Sequence, residues 1–437
     1  MEIMQRMSNR FAWLLGMMGL VLVGLLVACG TTYNASSDGL VLVGSQGSAL
    51  IQTFSFSLNS GQIAGVANST SSTGSMTCVL PGLPSSMVLD PAGAYAYVIL
   101  TSSSACASSQ TGIAAFKINS DGTMGAMGSL TPDPNPMALF MDSSGKFLFV
   151  AEGLNSIPMA LNAKPCPGTT QYGICVYAIG SGGTLTAAPG TFTIPSTVQT
   201  PNFVALAATP TVFPGLVNGT QQAVCSLSAP PTTEYLYAVD QANYLVWEFA
   251  VNISTGALGS PLPSGTIPSF ATDPVPAGVA VDPCNRFVYV SGSQNSKVNA
   301  YTMCNGTTTQ SPHCPASPDG SLVPVSSSPF SLTGGANGPG PMVVDPFGKY
   351  LYVLDTLSNQ VSTLNISPVS GSLSAGAVVA TGSLPKSIAI RSDDNWLFVT
   401  DFNPPALSQY SVTPASGVLT PLPATTTDNY PWGVAVK

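Results

Sequence analysis

The stretch Pro339–Val353, PGPMVVDPFGKYLYV, holds the pattern that decides the fold of this chain. It opens on a proline and a short apolar segment, turns at Asp345-Pro346-Phe347-Gly348, and ends in an apolar strand with two aromatic residues. Aspartate at the first position, proline at the second and glycine at the fourth are typical of a type I turn. The stretch therefore predicts two antiparallel strands joined by a tight turn.

The same unit recurs along the chain, and each copy continues into a third strand and a closing turn that starts with glycine. The second strand of the unit is found at Tyr95–Val98, Phe147–Val150, Tyr235–Ala238, Phe287–Val290, Tyr350–Val353, Trp396–Val399 and, more weakly, Leu40–Val43. The closing turns start at Gly61, Gly122, Gly183, Gly256, Gly320, Gly371 and Gly417. The opening prolines are Pro84, Pro136, Pro201, Pro276, Pro339, Pro385 and Pro431, and the last three are 46 residues apart. Such a period, lengthened elsewhere by insertions, is typical of four-stranded propeller blades.

The two ends of the chain each hold part of one blade. After Pro431 only Trp432–Lys437 remain, which is enough for a first strand, and Leu40–Val43 reads as a second strand with no first strand before it. Pairing the two would close the ring and remove the exposed sheet edges. The sequence therefore predicts an all-β, seven-bladed β-propeller over residues 38–437. Its blades are four-stranded and antiparallel, and the C-terminal strand closes the ring by pairing with the N-terminal blade.

The composition restricts the function classes. Of the 437 residues, 45% are hydrophobic and only 7% are charged, against about 25% charged in ordinary soluble domains. Acidic residues outnumber basic ones, 19 to 11, which excludes a basic nucleic-acid-binding protein. The apolar residues come in short runs broken by Gly, Pro, Ser and Thr, as in all-β proteins.

The N-terminus has the features of an export signal. Arg6 and Arg10 precede the uncharged run Phe11–Ala28, which meets Cys29; a basic segment, an apolar core and small residues are typical of a secretory signal. The cysteine makes it resemble a bacterial lipoprotein signal, which implies cleavage before Cys29 and lipidation of its sulfur. We predict a signal peptide at 1–28, a lipidated cysteine and tether at 29–37, and anchoring to the bacterial cell envelope, at the outer membrane. A retained signal-anchor helix is the alternative.

Eight further cysteines predict disulfides, since an even number in an exported chain is typical of them. A zinc site is not favoured, because there is no Cys-x2-Cys pair and His313 is the sole histidine. Cysteines in loops on the same face of adjacent blades, or flanking one insertion, give the pairs Cys78–Cys106, Cys166–Cys175, Cys225–Cys284 and Cys304–Cys314.

The repeated pattern, Pro-x-x-apolar-x-x-Asp-Pro-x-Gly-x-aromatic-Leu-aromatic-Val followed by x-Gly-x-Leu, resembles the lactonase or 6-phosphogluconolactonase-like seven-bladed propellers. Their bacterial relatives include exported proteins with YVTN-type repeats. The resemblance covers Asp38 to Lys437 and implies the fold and a lactone hydrolase ancestry. In those enzymes His and often Arg follow the opening proline and point into the funnel. No copy in this chain has either, and Pro385-Lys386 offers a lysine instead.

In such a blade, the loop before the first strand and the loop between the second and third share one face, which we call the funnel face. Binding candidates on it are Gln46, Asn135, Asn202, Asp273, Asn295, Asn359, Asn403 and Trp432. Candidates for a general base are Glu152, Asp240, Asp355 and Asp401, with Lys386 as the electrophile. Oxygen-ligated Ca2+ is an alternative use of the acidic groups, although no resident cofactor is predicted. The remaining alternative is that these Asp and Asn residues only terminate strands.

Two functional hypotheses follow. The first, favoured by the missing His and Arg residues, is a monomeric, lipid-anchored module that binds a small carbohydrate or an envelope protein without catalysis. The second is a lactonase-like hydrolase, related to 6-phosphogluconolactonase, that opens a sugar lactone. His313 lies beside Cys314 in an insertion on the face opposite the funnel and is expected to be a solvated loop residue in either case.

Overall fold

The computed structural model describes residues 38–65, 82–102, 111–127, 130–133, 135–153, 166, 173–193, 201–210, 233–262, 269–305, 314 and 319–437. Within these residues all regular secondary structure is β. None of the described segments is a helix of the length and apolarity needed to cross a membrane.

The first three strands belong to the blade that closes the ring: β1 (Asp38–Ser45), β2 (Leu50–Ser57) and β3 (Ile63–Gly65). Blade 1 has β4 (Leu83–Leu89), β5 (Tyr95–Thr101), β6 (Gly112–Ile118) and β7 (Met124–Ala126), with β8 (Thr131–Pro132) beside β6. Blade 2 has β9 (Pro136–Met141), β10 (Phe147–Glu152), β11 (Gly173–Ile179) and β12 (Leu185–Ala187), with β13 (Phe192–Thr193) beside β11. Blade 3 has β14 (Phe203–Ala208), β15 (Glu234–Asp240), β16 (Leu245–Val251) and β17 (Leu258–Leu262), with β18 (Ser269–Ala271) beside β16.

The second half of the ring continues in the same order. Blade 4 has β19 (Pro276–Val281), β20 (Phe287–Gly292), β21 (Lys297–Met303) and β22 (Leu322–Pro324), with β23 (Phe330–Ser331) beside β21. Blade 5 has β24 (Pro339–Val344), β25 (Tyr350–Asp355), β26 (Gln360–Ile366) and β27 (Leu373–Ala380). Blade 6 has β28 (Ser383–Ile390), β29 (Trp396–Asn403), β30 (Ala406–Thr413) and β31 (Val418–Thr426). The last strand is β32 (Pro431–Val436).

Blade 7 joins the two ends of the chain in one sheet, in the order β3-β2-β1-β32. Val41 lies opposite Val436 and Val43 opposite Val434 in an antiparallel register. The seven-bladed, all-β fold and its closure by the C-terminal strand are therefore confirmed.

The second strand of each blade is buried on both sides, which explains its nearly continuous apolar sequence. In β25, for example, every residue from Tyr350 to Asp355 is buried. Leu351 and Val353 pack toward blade 4, whereas Tyr352 and Leu354 pack toward blade 6. Because side chains alternate along a strand, a single strand contributes to the cores on both of its sides.

The Asp-Pro-x-Gly turns are structural. The carboxylate of Asp345 accepts backbone N–H bonds from Phe347, Lys349 and Tyr350 at 3.2, 2.6 and 2.6 Å, and Gly348 has φ +67°. The aspartates of these turns fix the connection between the first and second strands at the end of the blade away from the funnel.

Two of the four predicted disulfides are confirmed, Cys166–Cys175 and Cys304–Cys314. Cys284 is disulfide-bonded, but its predicted partner Cys225 lies outside the described residues. So do Cys78, Cys106, His313 and the whole signal and tether region, 1–37. The predictions made for them remain predictions.

Candidate functional site

A cavity of about 430 Å³ opens on the funnel face, where the first strands of blades 1 to 7 begin. Its lining side chains are mostly apolar, with the hydroxyls of Ser85, Ser86 and Ser387 among them. Each lining strand is the inner edge of its sheet, and an edge strand presents free backbone N–H and C=O groups. We call this space the funnel cavity. It combines an apolar wall with hydrogen-bonding groups, as small-molecule sites do.

Lys386 supplies positive charge to the funnel cavity. It follows the opening proline of blade 6 and lies in β28, and it is the one formally charged residue among the cavity-lining residues that the structure describes. Its Nζ lies 4.9 Å from the centre of the Trp432 ring and 5.3 Å from that of Phe402. Both rings hold the ammonium group through cation–π attraction. The structure places Lys386 and Trp432, both singled out from the sequence, in the lining of the funnel cavity.

The four carboxylates proposed as general bases lie elsewhere. Glu152, Asp240, Asp355 and Asp401 stand at or near the ends of the second strands, on the predicted face, but each is at most 1% exposed. None of them belongs to the described lining of the funnel cavity. The structure therefore does not bring them together with Lys386.

Hydrogen bonds hold three of these carboxylates inside their own blades. Asp355 accepts bonds from Ser362 and Gln360 at 2.5 and 3.1 Å, and Asp401 accepts one from Ser408 at 2.5 Å. Asp240 accepts a hydrogen bond from the indole N–H of Trp247 at 3.2 Å and others from amide N–H groups. Burial raises the pKa of Asp355 and Asp401 to about 6 each. Their geometry assigns them to the pairing of the second and third strands.

Most of the predicted binding residues tie loops together at the rim. Their bonds are Gln46 Nε2 to the Pro84 carbonyl, Asn135 Nδ2 to the Gly153 carbonyl, Asn295 Nδ2 to Asp273 Oδ1, Asn202 N–H to Asp240 Oδ1, and Leu384 N–H to Asn359 Oδ1. Asn403 is exposed at the end of β29. Trp432 alone of the predicted binding set lines the cavity.

A separate acidic cluster lies where blades 1 and 2 meet. One ligand atom each from Asp133, Glu152 and Cys175 lie within 4.8 Å of one another, and Tyr177 donates to Asp133 at 3.0 Å. Burial, together with the neighbouring Asp133, raises the pKa of Glu152 well above its usual value, which favours a protonated acid beside a carboxylate. Because the sulfur of Cys175 is bonded to Cys166, it is not available as a thiolate ligand. The cluster therefore offers a cation two carboxyl groups. Ca2+ prefers six to eight oxygens.

Residues 224–436, close to half of the chain, match the family model described as Lactonase, 7-bladed beta-propeller. The chain is a seven-bladed β-propeller that is similar to the lactonase family over those residues. A protein of Bacteroides fragilis, provisionally assigned as a 6-phosphogluconolactonase, is 19% identical, with a TM-score of 0.65, and covers 93% of this chain and 100% of its own. The periplasmic gluconolactonase of Pseudomonas aeruginosa is 18% identical, with a TM-score of 0.65, and covers 92% of this chain and 99% of its own. At these levels of identity, the similarity to both proteins shows a shared fold and carries no statement about activity. No curated protein matches the chain in sequence.

In this lactonase-like propeller, sequence reasoning missed the aromatic residues Phe402 and Tyr430 at the cavity mouth. Both lie next to loops of the funnel face, and Tyr430 directly precedes the opening proline of blade 7. A bulky aromatic residue before that proline was the available signal. Such a residue can pack inside the blade or face the cavity mouth, and the repeat pattern does not specify which way the side chain points.

Proposed function

We propose that the protein is a lactone hydrolase that acts on an uncharged sugar lactone in the funnel cavity. Two observations support the proposal: the match of residues 224–436 to the lactonase family and a cavity of suitable size on the face where propellers bind ligands. The observation that carries it is the ammonium group of Lys386, a single positive charge in an otherwise uncharged described lining. A positive group beside an ester carbonyl can stabilise the oxyanion that develops as a lactone opens.

The charge of the cavity favours a neutral substrate over a phosphorylated one. Phosphate groups are usually bound by several charged donors, often by bidentate arginines, whereas Lys386 is the one cation in the described lining. Serine hydroxyls and edge-strand backbone groups suit the hydroxyls of a neutral sugar. The lactone of an aldonic acid without a phosphate is therefore the class we propose.

The reaction follows from this arrangement. The ammonium group of Lys386 polarises the lactone carbonyl, and water attacks its carbon to give a tetrahedral intermediate whose oxyanion the ammonium stabilises. The bond from that carbon to the ring oxygen then breaks, the ring oxygen takes a proton, and the product is an open hydroxy acid. Because the described lining contains no carboxylate or imidazole, we assign proton removal from the attacking water to solvent. The rate should therefore rise with pH around neutrality.

The test is hydrolysis of glucono-1,5-lactone by the domain 38–437, followed by acid release at constant pH and corrected for spontaneous opening. Lys386→Met should lower kcat/KM by about 10², while Lys349→Met, on the face opposite the funnel, should leave it within twofold. Saturable turnover that survives Lys386→Met would overturn the role of Lys386. No turnover above the spontaneous rate would overturn the hydrolase.

The second candidate is binding without catalysis. It is favoured by the described cavity lining, which holds no side chain able to act as a general base. Calorimetric binding of gluconate or its lactone to the wild-type domain, with Lys386→Met binding more weakly and no turnover by either, would support this candidate in place of the first.

We further propose that the protein is exported and anchored by Cys29 to the outer membrane. The N-terminal sequence supports this, and so do the disulfides Cys166–Cys175 and Cys304–Cys314, because such bonds persist mainly in oxidising compartments. Cys29→Ser should abolish lipidation and move the protein from the membrane fraction. Unchanged processing and fractionation of that variant would contradict the anchor.

A further inference from the structure

Three aromatic side chains lie together beside the mouth of the funnel cavity. Phe402 stacks on Tyr430 with ring centres 4.7 Å apart and planes at 25°, and it meets Trp432 edge-on at 6.4 Å. Tyr430 is 51% exposed and Trp432 37% exposed. Trp432 also lines the funnel cavity, so the cluster runs from the cavity wall out to the rim.

The backbone before the opening proline turns Tyr430 outward. Its φ is +56°, a conformation that bulky residues rarely adopt, and Leu384, in the same place before the opening proline of blade 6, has φ +54°. Leu384 is also exposed, at 43%. Val275 and Gly338, which precede the opening prolines of blades 4 and 5, have φ +56° and +64°, so this conformation belongs to the repeat. In blades 6 and 7 it places a large apolar or aromatic side chain in solvent beside the cavity.

The chemistry of this rim fits a sugar ring. The C–H face of a pyranose packs on an exposed aromatic ring, while its hydroxyls remain in water or bind polar neighbours. Lys386, held against Phe402 and Trp432, would repel a cationic ligand. A protein partner fits less well, since two exposed rings beside one cavity are far short of the roughly 1,200–2,000 Å² of a stable protein interface.

We propose that Tyr430 and Trp432 form a stacking subsite for a second sugar ring, so that the substrate is a disaccharide lactone. The lactone ring occupies the funnel cavity beside Lys386, and the pyranose attached to it lies on the aromatic rim. This assignment of the lactone end rests on the function proposed above. The stacking subsite itself does not depend on catalysis.

The binding arm of the test uses the protein's own fluorescence. In the domain 38–437 the tryptophans are Trp247, Trp396 and Trp432, and the first two are at most 6% exposed, so a change on titration reports Trp432. Cellobiose should shift the emission and protect it from iodide, whereas glucose should do so at least fivefold more weakly. Tyr430→Ala should weaken cellobiose binding about fivefold, a loss of the size expected for one ring contact. Tyr244→Ala removes a tyrosine of similar exposure, 44%, from the funnel face of blade 3 and should leave binding unchanged.

The kinetic arm compares cellobiono-1,5-lactone with glucono-1,5-lactone. The wild type should have the higher kcat/KM for the disaccharide lactone, and Tyr430→Ala should remove that preference by raising KM for the disaccharide lactone, whereas Tyr244→Ala should leave kcat/KM for both lactones unchanged. Equal values for the two lactones in the wild type, or cellobiose binding that Tyr430→Ala and Trp432→Ala do not alter, would overturn the subsite. Cellobiose binding through Trp432 without hydrolysis of either lactone would keep the subsite and remove the hydrolase. A response to phospholipid vesicles or detergent but not to cellobiose would assign the rim to a lipid and overturn the sugar.

Discussion

The phenol hydroxyl of Tyr237 in blade 3 donates a 2.9 Å hydrogen bond to the backbone carbonyl of Gly320 in blade 4. Equivalent bonds join the second strands of blades 1, 4 and 5 to the closing turn of the next blade: Tyr97 to Gly183, Tyr289 to Gly371 and Tyr352 to Gly417. Gly320 itself has φ +82°, and a Cβ there would lie 2.2 Å from the ring of Tyr235. The aromatic second strand and the closing glycine, the two most regular motifs of the sequence, are therefore the two sides of one joint between neighbouring blades.

This joint predicts graded losses of stability. Tyr237→Phe leaves the buried carbonyl of Gly320 without its donor and should lower the free energy of unfolding by about 1–2 kcal/mol. Gly320→Ala combines backbone strain at positive φ with a clash against Tyr235 and should cost about 2–4 kcal/mol. Chemical denaturation of the domain 38–437 measures both, provided the transition is two-state.

Gly125→Ala is the matched control. A Cβ at Gly125 meets nothing within 4 Å, and this glycine is not among those with positive φ. Its substitution should change the free energy of unfolding by less than about 0.5 kcal/mol. If Gly320→Ala were as mild as Gly125→Ala, the joint would not contribute as the geometry implies.

Buried acids should make the protein more stable in acid than at mildly alkaline pH. Burial, with the nearby Asp345, raises the pKa of Asp394 to about 8, and burial raises that of Glu234 to about 8. Between about pH 4 and pH 8 the folded state keeps protons that the unfolded chain has lost, so stability falls as pH rises, by about 1 kcal/mol per pH unit for each such group.

Asp394→Asn tests this sign directly. Asparagine keeps the shape and tolerates the left-handed backbone at this position, φ +58°. The variant should gain stability over the wild type at pH 8 and lose that advantage by pH 4. Asp121→Asn, in an exposed turn, should not change the profile between about pH 5 and pH 8, because hydrogen bonds from Thr123 lower the pKa of Asp121 and keep it ionised in both states over that range. If the difference in melting temperature between the wild type and Asp394→Asn were the same at pH 4 and pH 8, the prediction would be wrong.

The carboxylates inside the blades should prove dispensable for chemistry. Asp401→Asn keeps an oxygen that can accept from Ser408 and should leave kcat/KM for any lactone within about threefold. A general base contributes about 10²–10⁴-fold, so a loss of that size with an unchanged melting temperature would restore Asp401 as a catalytic candidate.

The disulfide on the face opposite the funnel should serve stability and not activity. Cys304 and Cys314 close a short loop, with a sequence separation of 10. Replacing both with serine should cost about 2–3 kcal/mol while leaving sugar binding at the funnel cavity unchanged. The unfolding of the reduced wild type and of the double variant should be compared by calorimetry. Both lack the disulfide, so any difference between them is due to the serine side chains.

Much of the fold followed from local patterns. The apolar second strands such as Tyr350–Val353, the Asp345 turn and the closing glycines are short-range signals, because alternation, turn geometry and positive φ are properties of a few consecutive residues. Closure by β32 could also be predicted, since a ring with one incomplete blade at each end has only one way to remove its edges.

The site depended on tertiary structure. The sequence placed Asp240, Asp355 and Asp401 on the funnel face, but only packing decided that their side chains turn into the blades, where burial and hydrogen bonds to the third strand hold them. It placed Lys386 and Trp432 at the cavity through their repeat position. That Phe402 and Tyr430, residues from different strands and loops, complete one cluster with them is a consequence of how blades 6 and 7 meet, which no local pattern encodes.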